Sequence, residues 1–395
     1  MLFVSFHGAI PNIYGFDETH PGSAAITDLI ESSTVSQLSE LRGMLLANGY
    51  LYLVNGGSGV SNVLCCSPDP NSAYHYTIAA VFLANSDTTN HPFDLTYQVN
   101  PDKSQTWWVS NQDSNVVAVF TAQAPFDSAS AGSSQYLSAL LSALQKDNSP
   151  LASPAFLTGT FVPTSVVAAE IPAQTVVDPA WGGLSAVFNP PVTTDASKKK
   201  GKKPPKPKVQ NSVRGVEVYN GVLYVADEGD TAVRMFDAAT GVPLGATTLD
   251  GPVHLVRQGN TIYVTSGNSV YSGTCVSLPA TIPALPAKDR FKGNKVPPYP
   301  APPADYGNSV TLKLTDLGLD LPSGGGPSGI ASDNSGNLFV ALRKTSEIYA
   351  FAPNTSGSGS PFTPWSTNPI FSSLGDEPEY LLWTETVVGS IRNNS

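Results

Sequence analysis

Charge is scarce in this chain. Only 13% of its 395 residues are Asp, Glu, Lys or Arg, too few for long solvent-facing helices laced with ion pairs. Cysteine is rarer still. Cys65, Cys66 and Cys275 make an odd count of three, which is no disulfide framework, and neighbouring Cys65 and Cys66 on a strand would point to opposite faces. No run of about 18 apolar residues occurs, so no membrane-spanning helix is expected. The opening MLFVSF reads as a strand without a basic leader or cleavage site. The default compartment is therefore the cytoplasm, although a mature secreted chain with an added Met would read the same. Neither a G-x-S-x-G elbow nor a P-loop is present. The five histidines lack H-x-H or H-x-x-x-H spacing, so local sequence offers no zinc site. Gly324–Gly329, GGGPSG, precedes a strand and offers no helix N-terminus to a phosphate.

The balance of charge excludes a further class. The formal net charge is −10, and seven of the 21 basic residues sit between Lys198 and Lys208. The remainder is strongly acidic, which argues against nucleic-acid binding. What the chain does have is turn chemistry and strand formers. Gly and Pro contribute 34 residues each, against 41% hydrophobic residues overall. With abundant Ser, Thr, Val and Tyr, this favours short strands separated by many turns.

Internal repetition organises those strands. Val213–Leu249, VRGVEVYNGVLYVADEGDTAVRMFDAATGVPLGATTL, parses as four strands. Asn220-Gly221 supplies the positive-φ pair of a tight hairpin. Related copies begin at Leu41, Phe93, Val253 and Ser328, and their second strands align as LYLVN, WWVSN, LYVAD, IYVTS and LFVAL. The ends provide one more. LFVSF at Leu2 matches a second strand, and EPEYLLW, Glu377–Trp383, supplies the first strand missing there. The expected fold is an all-β, six-bladed β-propeller of four-stranded antiparallel blades. Strands from the two chain ends share one blade and close the ring, which removes exposed sheet edges.

The chain reads as one propeller over residues 1–395 with two insertions. Residues 125–210 hold a helix near 133–146, with Leu137, Leu140, Leu141 and Leu144 on one face, and a flexible Lys/Pro-rich loop at 196–210. Residues 276–308 form a Pro-rich loop with eight prolines between Pro279 and Pro303. LYVADEGDTAVRMFD and GIASDNSGNLFVALRKTSEIYAF resemble the repeats of NHL, YVTN and SMP-30/gluconolactonase-type propellers. That resemblance implies the architecture, and a channel-mouth site in which SMP-30-like hydrolases hold a metal. GDEPEYLLW is similar to their first-strand motif, with Glu377 or Glu379 as the acid. Ser328 replaces the Asp of their PDG motif, however, and His254 replaces the Asn of their PNG motif, so two of four implied ligands differ.

The repeat alignment locates candidate chemistry. At the entry to the inner strand the copies carry Arg42, Asp94, Arg214, His254, Gly329 and Glu379. Ionisable groups at five of six positions, in a chain this poor in charge, would perturb one another around a narrow mouth. A second matched position, the end of the second strand, carries Asn55, Asn111, Asp227, Ser266, Leu342 and Phe6, followed nearby by Asp113, Glu228, Asp230 and His7. An Asp there can cap a blade turn, and a carboxylate–amide set could hold Ca²⁺, the one cofactor this pattern invites. Two functions follow. In the first, a monomeric propeller binds a small polar or anionic ligand, or a protein partner, at the mouth. Arg42 and Arg214 are then anion contacts, with Asn55, Asn111 and Asp227 beside them. In the second, it is a lactone- or ester-directed hydrolase or a lyase. His254 is then acid or base, and Glu379 and Asp94 are its partners or metal ligands.

Overall fold

The computed structural model describes residues 1–8, 12–22, 27–30, 38–47, 50–57, 61–69, 75–83, 91–101, 105–112, 116–122, 168–170, 213–229, 231–239, 241, 243–281, 310–356, 360–372 and 374–385. Six four-stranded antiparallel sheets form the blades. Blade one joins both ends of the chain: Pro378–Trp383 is its inner strand, and Leu2–Phe6, Tyr14–Phe16 and Thr27–Asp28 follow outward. The inner and second strands of blade two are Leu41–Ala47 and Tyr50–Asn55, and of blade three Pro92–Val99 and Gln105–Asn111. Blade four begins with Val213–Tyr219 and Val222–Asp227, blade five with Pro252–Gln258 and Thr261–Ser266, and blade six with Pro327–Ser332 and Leu338–Leu342. Each inner strand neighbours the next, and that of blade six meets that of blade one, so the ring closes.

The seam lies where the repeats place it. Leu2 pairs with Trp383, Phe3 with Leu382 and Val4 with Leu381, and all of Leu2–Phe6 is buried. Trp383 Nε1 also donates to Glu18 Oε1 at 2.9 Å, tying the inner strand to the far side of its own blade. The Pro-rich insertion falls between the third and fourth strands of blade five, whereas residues 125–210 include the fourth strand of blade three. Within residues 125–210, Ala168–Glu170 returns to pair with Phe120, Thr121 and Ala122 and completes blade three. Beyond the Pro-rich stretch, Thr315–Asp316 completes blade five. The helix expected near 133–146, the Lys/Pro-rich loop 196–210, residues 282–308, Asp113 and Asp230 lie outside the described residues.

Packing follows from strand periodicity. Second strands are buried on both faces, which is why they read as continuous apolar runs. Among the described residues the core falls into six clusters, one at each joint between neighbouring blades. Between blades two and three, for example, Trp107 packs its ring 4.6 Å from Tyr52 and 4.8 Å from Phe82. Each such side chain contributes about 1.5–3 kcal/mol when fully buried. Cys65 and Cys66 join the clusters on opposite sides of blade two, while Cys275 packs between blades four and five. All three are free thiols.

One irregularity recurs in every blade. At the mouth end the inner strand carries one residue more than its partner. Leu41 pairs with Asn55 and Met44 with Leu53, so Arg42 and Gly43 together face Val54. The same β-bulge falls in LRGM, PFDL, VRGV, PVHL, PSGI and PEYL, the segments starting at Leu41, Pro92, Val213, Pro252, Pro327 and Pro378. A bulge kinks the strand and re-aims its side chains. Here it turns two residues of each blade towards the axis, where the strands crowd. Gly43, Gly215 and Gly329 occupy the second bulge position of blades two, four and six. A Cβ on Gly43 would lie 2.8 Å from Asp94 Cα, one on Gly215 2.9 Å from His254 Cα, and one on Gly329 2.9 Å from Tyr380 Cα. These contacts are with backbone, which cannot swing aside. Gly215→Ala is therefore expected to cost about 1–3 kcal/mol through overpacking, read as a lower denaturation midpoint at unchanged slope.

Candidate functional site

The bulge separates the expected ring into two layers. The first bulge residues are Arg42, Phe93, Arg214, Val253, Ser328 and Glu379, and the second are Gly43, Asp94, Gly215, His254, Gly329 and Tyr380. Arg42, Arg214 and Glu379 thus form the outer layer, while Asp94, His254 and Gly329 lie one residue deeper. The second matched position stands as aligned: Asn55, Asn111, Asp227, Ser266, Leu342 and Phe6 each pair with the residue that opens a bulge.

In the outer layer Glu379 is the hub. Its side chain is fully buried, and it faces Arg42 Nη1 at 3.3 Å, Arg214 Nη1 at 3.3 Å and Arg343 Nη1 at 3.4 Å. Arg343 follows the second strand of blade six and escaped the sequence alignment, although it holds the place that Glu228 holds in blade four and His7 in blade one. Each arginine has a second, outer acid: Arg42 with Glu40 at 2.8 Å, Arg214 with Glu228 at 2.5 Å and Arg343 with Glu377 at 2.6 Å. Phe93 lies beneath two of them, its ring centre 5.8 Å from the Arg42 guanidinium and 4.9 Å from that of Arg214. Both distances are within the range of a cation–π contact. Burial lowers the pKa of Arg42, against the pull of Glu379 and Glu40. The cluster leaves capacity unused. Arg42 Nε and Nη1 and Glu379 Oε2 have no hydrogen-bond partner among the described residues.

The inner layer is a different device. Asp94 Oδ2 accepts Val216 N–H from blade four at 2.9 Å, and Oδ1 accepts its neighbour Leu95 N–H at 2.8 Å. The hydroxyl of Tyr380, from blade one, bonds the same carboxyl. His254 Nδ1 accepts Ile330 N–H from blade six at 2.9 Å, which fixes the neutral ring's proton on Nε2. Its ring centre lies 3.9 Å from that of Tyr380. Hydroxyls from the second strands complete the belt. Thr265 donates to Ser328 O at 2.7 Å, Ser5 to Arg42 O at 2.7 Å, and Ser110 accepts Asp94 N–H at 3.0 Å. Burial pushes Asp94 up to about 7, against those hydrogen bonds, and pushes His254 down to about 3. It also holds Tyr380 well above the usual phenol range. Tyr380 was not singled out from sequence, because a Tyr in EPEYLLW reads as ordinary core.

The remaining candidates serve their own blades. Asn55 Oδ1 accepts Ser39 N–H at 2.8 Å, and Asn111 Nδ2 donates to Val109 O at 2.8 Å. Asp227 pairs with Arg234 at 3.2 Å and accepts a backbone N–H from Gly229, the turn-capping role. Burial pushes it up to about 7. These three stand on three different blades, each engaged within its own blade. Among the described residues no three His, Cys, Asp or Glu side chains cluster as metal ligands. Glu379, one of the two acids to which the SMP-30 resemblance points, is ringed by guanidiniums that would repel a cation, and Glu377, the other, pairs with Arg343. His254 bonds Ile330 and packs at a tilt against the Tyr380 ring, and neither Glu379 nor Asp94 is its partner among the described contacts.

No protein-family model matches the chain, and no curated protein matches it in sequence. Among solved structures, a candidate 6-phosphogluconolactonase from Bacteroides fragilis is similar at 13% identity and TM-score 0.47, covering 97% of each chain. A protein from Lactobacillus plantarum is similar at 13% identity and TM-score 0.46, over 93% of this chain and 82% of that one. Virginiamycin B lyase from Staphylococcus aureus is similar at 10% identity and TM-score 0.39, over 86% and 73%. The architecture of this chain rests on its own strand pairing.

The two inner-layer groups act oppositely on stability. Asp94 titrates in the folded protein near 7 against an ordinary 3.8, so the folded form takes up its proton first, and falling pH stabilises between about 7 and 4. His254 titrates near 3 against 6.5, so the unfolded form takes up its proton first, and falling pH destabilises between about 6.5 and 3. Relative to wild type, Asp94→Asn should lose more stability on going from pH 7.5 to 4.5, and His254→Gln should lose less. Urea midpoints across that range measure both.

Proposed function

We propose that this chain is a binding propeller whose small polar ligand docks at the mouth on the outer layer. The observation that carries the reading is the unused hydrogen-bonding capacity of two buried charged side chains there, Arg42 Nε and Nη1 and Glu379 Oε2. Buried polar groups are nearly always hydrogen-bonded, whereas Arg42 Nη1 and Glu379 Oε2 have only the longer ion-pair contacts at 3.3 and 3.4 Å, and a missing hydrogen bond to a buried ionised group is costly. A ligand that accepts from Arg42 and donates to Glu379 would complete both, so its chemistry combines an oxyanion or carbonyl oxygen with a hydroxyl. The half-exposed rim of Glu40, Glu228, Glu377 and Arg343 would orient it, and a polar loop of a partner protein carrying the same groups would enter the same way.

The hydrolase or lyase reading, suggested by the resemblance to SMP-30-type propellers, is less well supported. It needs His254 beside a carboxylate, or a metal beside Glu379, and the contacts described above favour neither. Our reading is tested by thermal unfolding against a panel of hydroxy acids, sugar acids and polyols. A ligand at a hundredfold its Kd adds about 2.7 kcal/mol of stability. Affinity for any such ligand should fall at least tenfold in both Arg42→Gln and Arg214→Gln. Unchanged affinity in both variants would place the site elsewhere.

A further inference from the structure

The three arginines of the mouth come from alternate blades: Arg42 from blade two, Arg214 from blade four, and Arg343 from the turn after the second strand of blade six. Each brings Nη1 to Glu379, at nearly equal distances of 3.3, 3.3 and 3.4 Å. Those distances are long, since charge-assisted N–H···O bonds settle at roughly 2.7–2.9 Å. The cause is geometric. A carboxylate is planar and has two oxygens, whereas three guanidiniums approach from three sides. Oε1 is shared by two arginines while Oε2 receives one, and Arg42 is left without a hydrogen bond from Nε or Nη1. The legs do not depend on Glu379 for their positions. Glu40, Glu228 and Glu377 hold them from outside at 2.5–2.8 Å, and Phe93 braces two of them from below.

We infer that this tripod is a site for a tetrahedral oxyanion, phosphate or sulfate, free or as the head group of a small ester, and that Glu379 is its built-in occupant, displaced when the ligand binds. The inference rests on the ligand-binding reading and gives that ligand its head group, which takes the place of the Glu379 carboxylate among the arginines, while the ligand's hydroxyl donates to that carboxylate in its displaced position. The three oxygens of one face of a tetrahedral anion match three guanidinium legs where two carboxylate oxygens do not, and forked N–H pairs suit phosphate geometry.

Glu379→Gln tests it, because removing the occupant's charge should strengthen binding. Thermal unfolding of wild type and variant is followed against sodium phosphate, sulfate and acetate at matched ionic strength. Comparison with wild type cancels the general salt effect. The apparent affinity for phosphate and sulfate should be at least tenfold tighter in Glu379→Gln, with no such gain for planar acetate. Adding Arg343→Gln should abolish the gain. Should Glu379→Gln not fold, Glu379→Asp keeps the charge, withdraws it by one methylene, and should show the same preference. An equal gain for acetate, or no gain for any anion, overturns the tripod. If that happens while Arg42→Gln still weakens a ligand from the panel, the tripod alone fails. If Arg42→Gln is also without effect, the binding reading fails with it.

Discussion

Six inner strands can share one axis only if their backbones approach more closely than side chains allow. That crowding governs everything at the mouth. The bulge answers it by adding a residue to each inner strand where the channel is tightest, bending the strand and swinging two side chains inward. Glycine answers it on blades two, four and six by removing the Cβ that would strike the next strand. Asp94, His254 and Tyr380, at the same place on the other blades, fill the room those glycines leave. Their polar atoms then take up the backbone and hydroxyl groups that the bulge releases from regular pairing. In this way a steric constraint produces a buried polar belt.

The belt and the ion cluster above it obey different rules. In the inner layer burial dominates: Asp94 is raised, His254 lowered, and the groups work as hydrogen-bonding struts between blades. In the outer layer four acids and three arginines alternate over a short distance, and partial exposure of the outer acids moderates the cost of burying the rest. The division explains why a ring that looks like one mixed-charge site in sequence is two structures, one a buried belt and the other an ion cluster with a half-exposed rim.

Much of this was legible beforehand. The second strands announce themselves as LYLVN, WWVSN, LYVAD, IYVTS, LFVAL and LFVSF, and the blade count and seam follow from them, because a strand buried on both faces leaves a distinctive apolar run. The ends of those strands, from Asn55 to Phe6, were also in correct register. The inner-strand entries were not. Matching charge to charge slides PFDL, PVHL and PSGI by one residue relative to LRGM, VRGV and PEYL. The better guide was the pair of apolar or Pro positions enclosing each bulge, since those residues keep their partners while the two between them change places with the axis. Arg343 was hidden for another reason. It reaches the mouth from a turn, and turns carry no periodicity by which to align them.

The alternation of glycine with Asp94, His254 and Tyr380 also divides the molecule in a way that blade counting conceals. Blades two and three, four and five, and six and one form couples, each held at the axis by a glycine seated against its partner's backbone. The joints from one couple to the next lack that glycine contact and are cross-linked by polar contacts: Asp94 to Val216, His254 to Ile330, Thr265 to Ser328 and Ser5 to Arg42. The propeller is thus a pseudo-trimer of two-blade modules. Polar contacts cross the joints inside modules as well, such as Ser328 to Pro378 and Arg257 to Glu217, but the close glycine contact at the axis occurs only there, and one guanidinium comes from the leading blade of each module. Parting it at any joint would free polar groups that water can satisfy, but parting it within a module would also open a backbone contact against glycine for which solvent has no substitute.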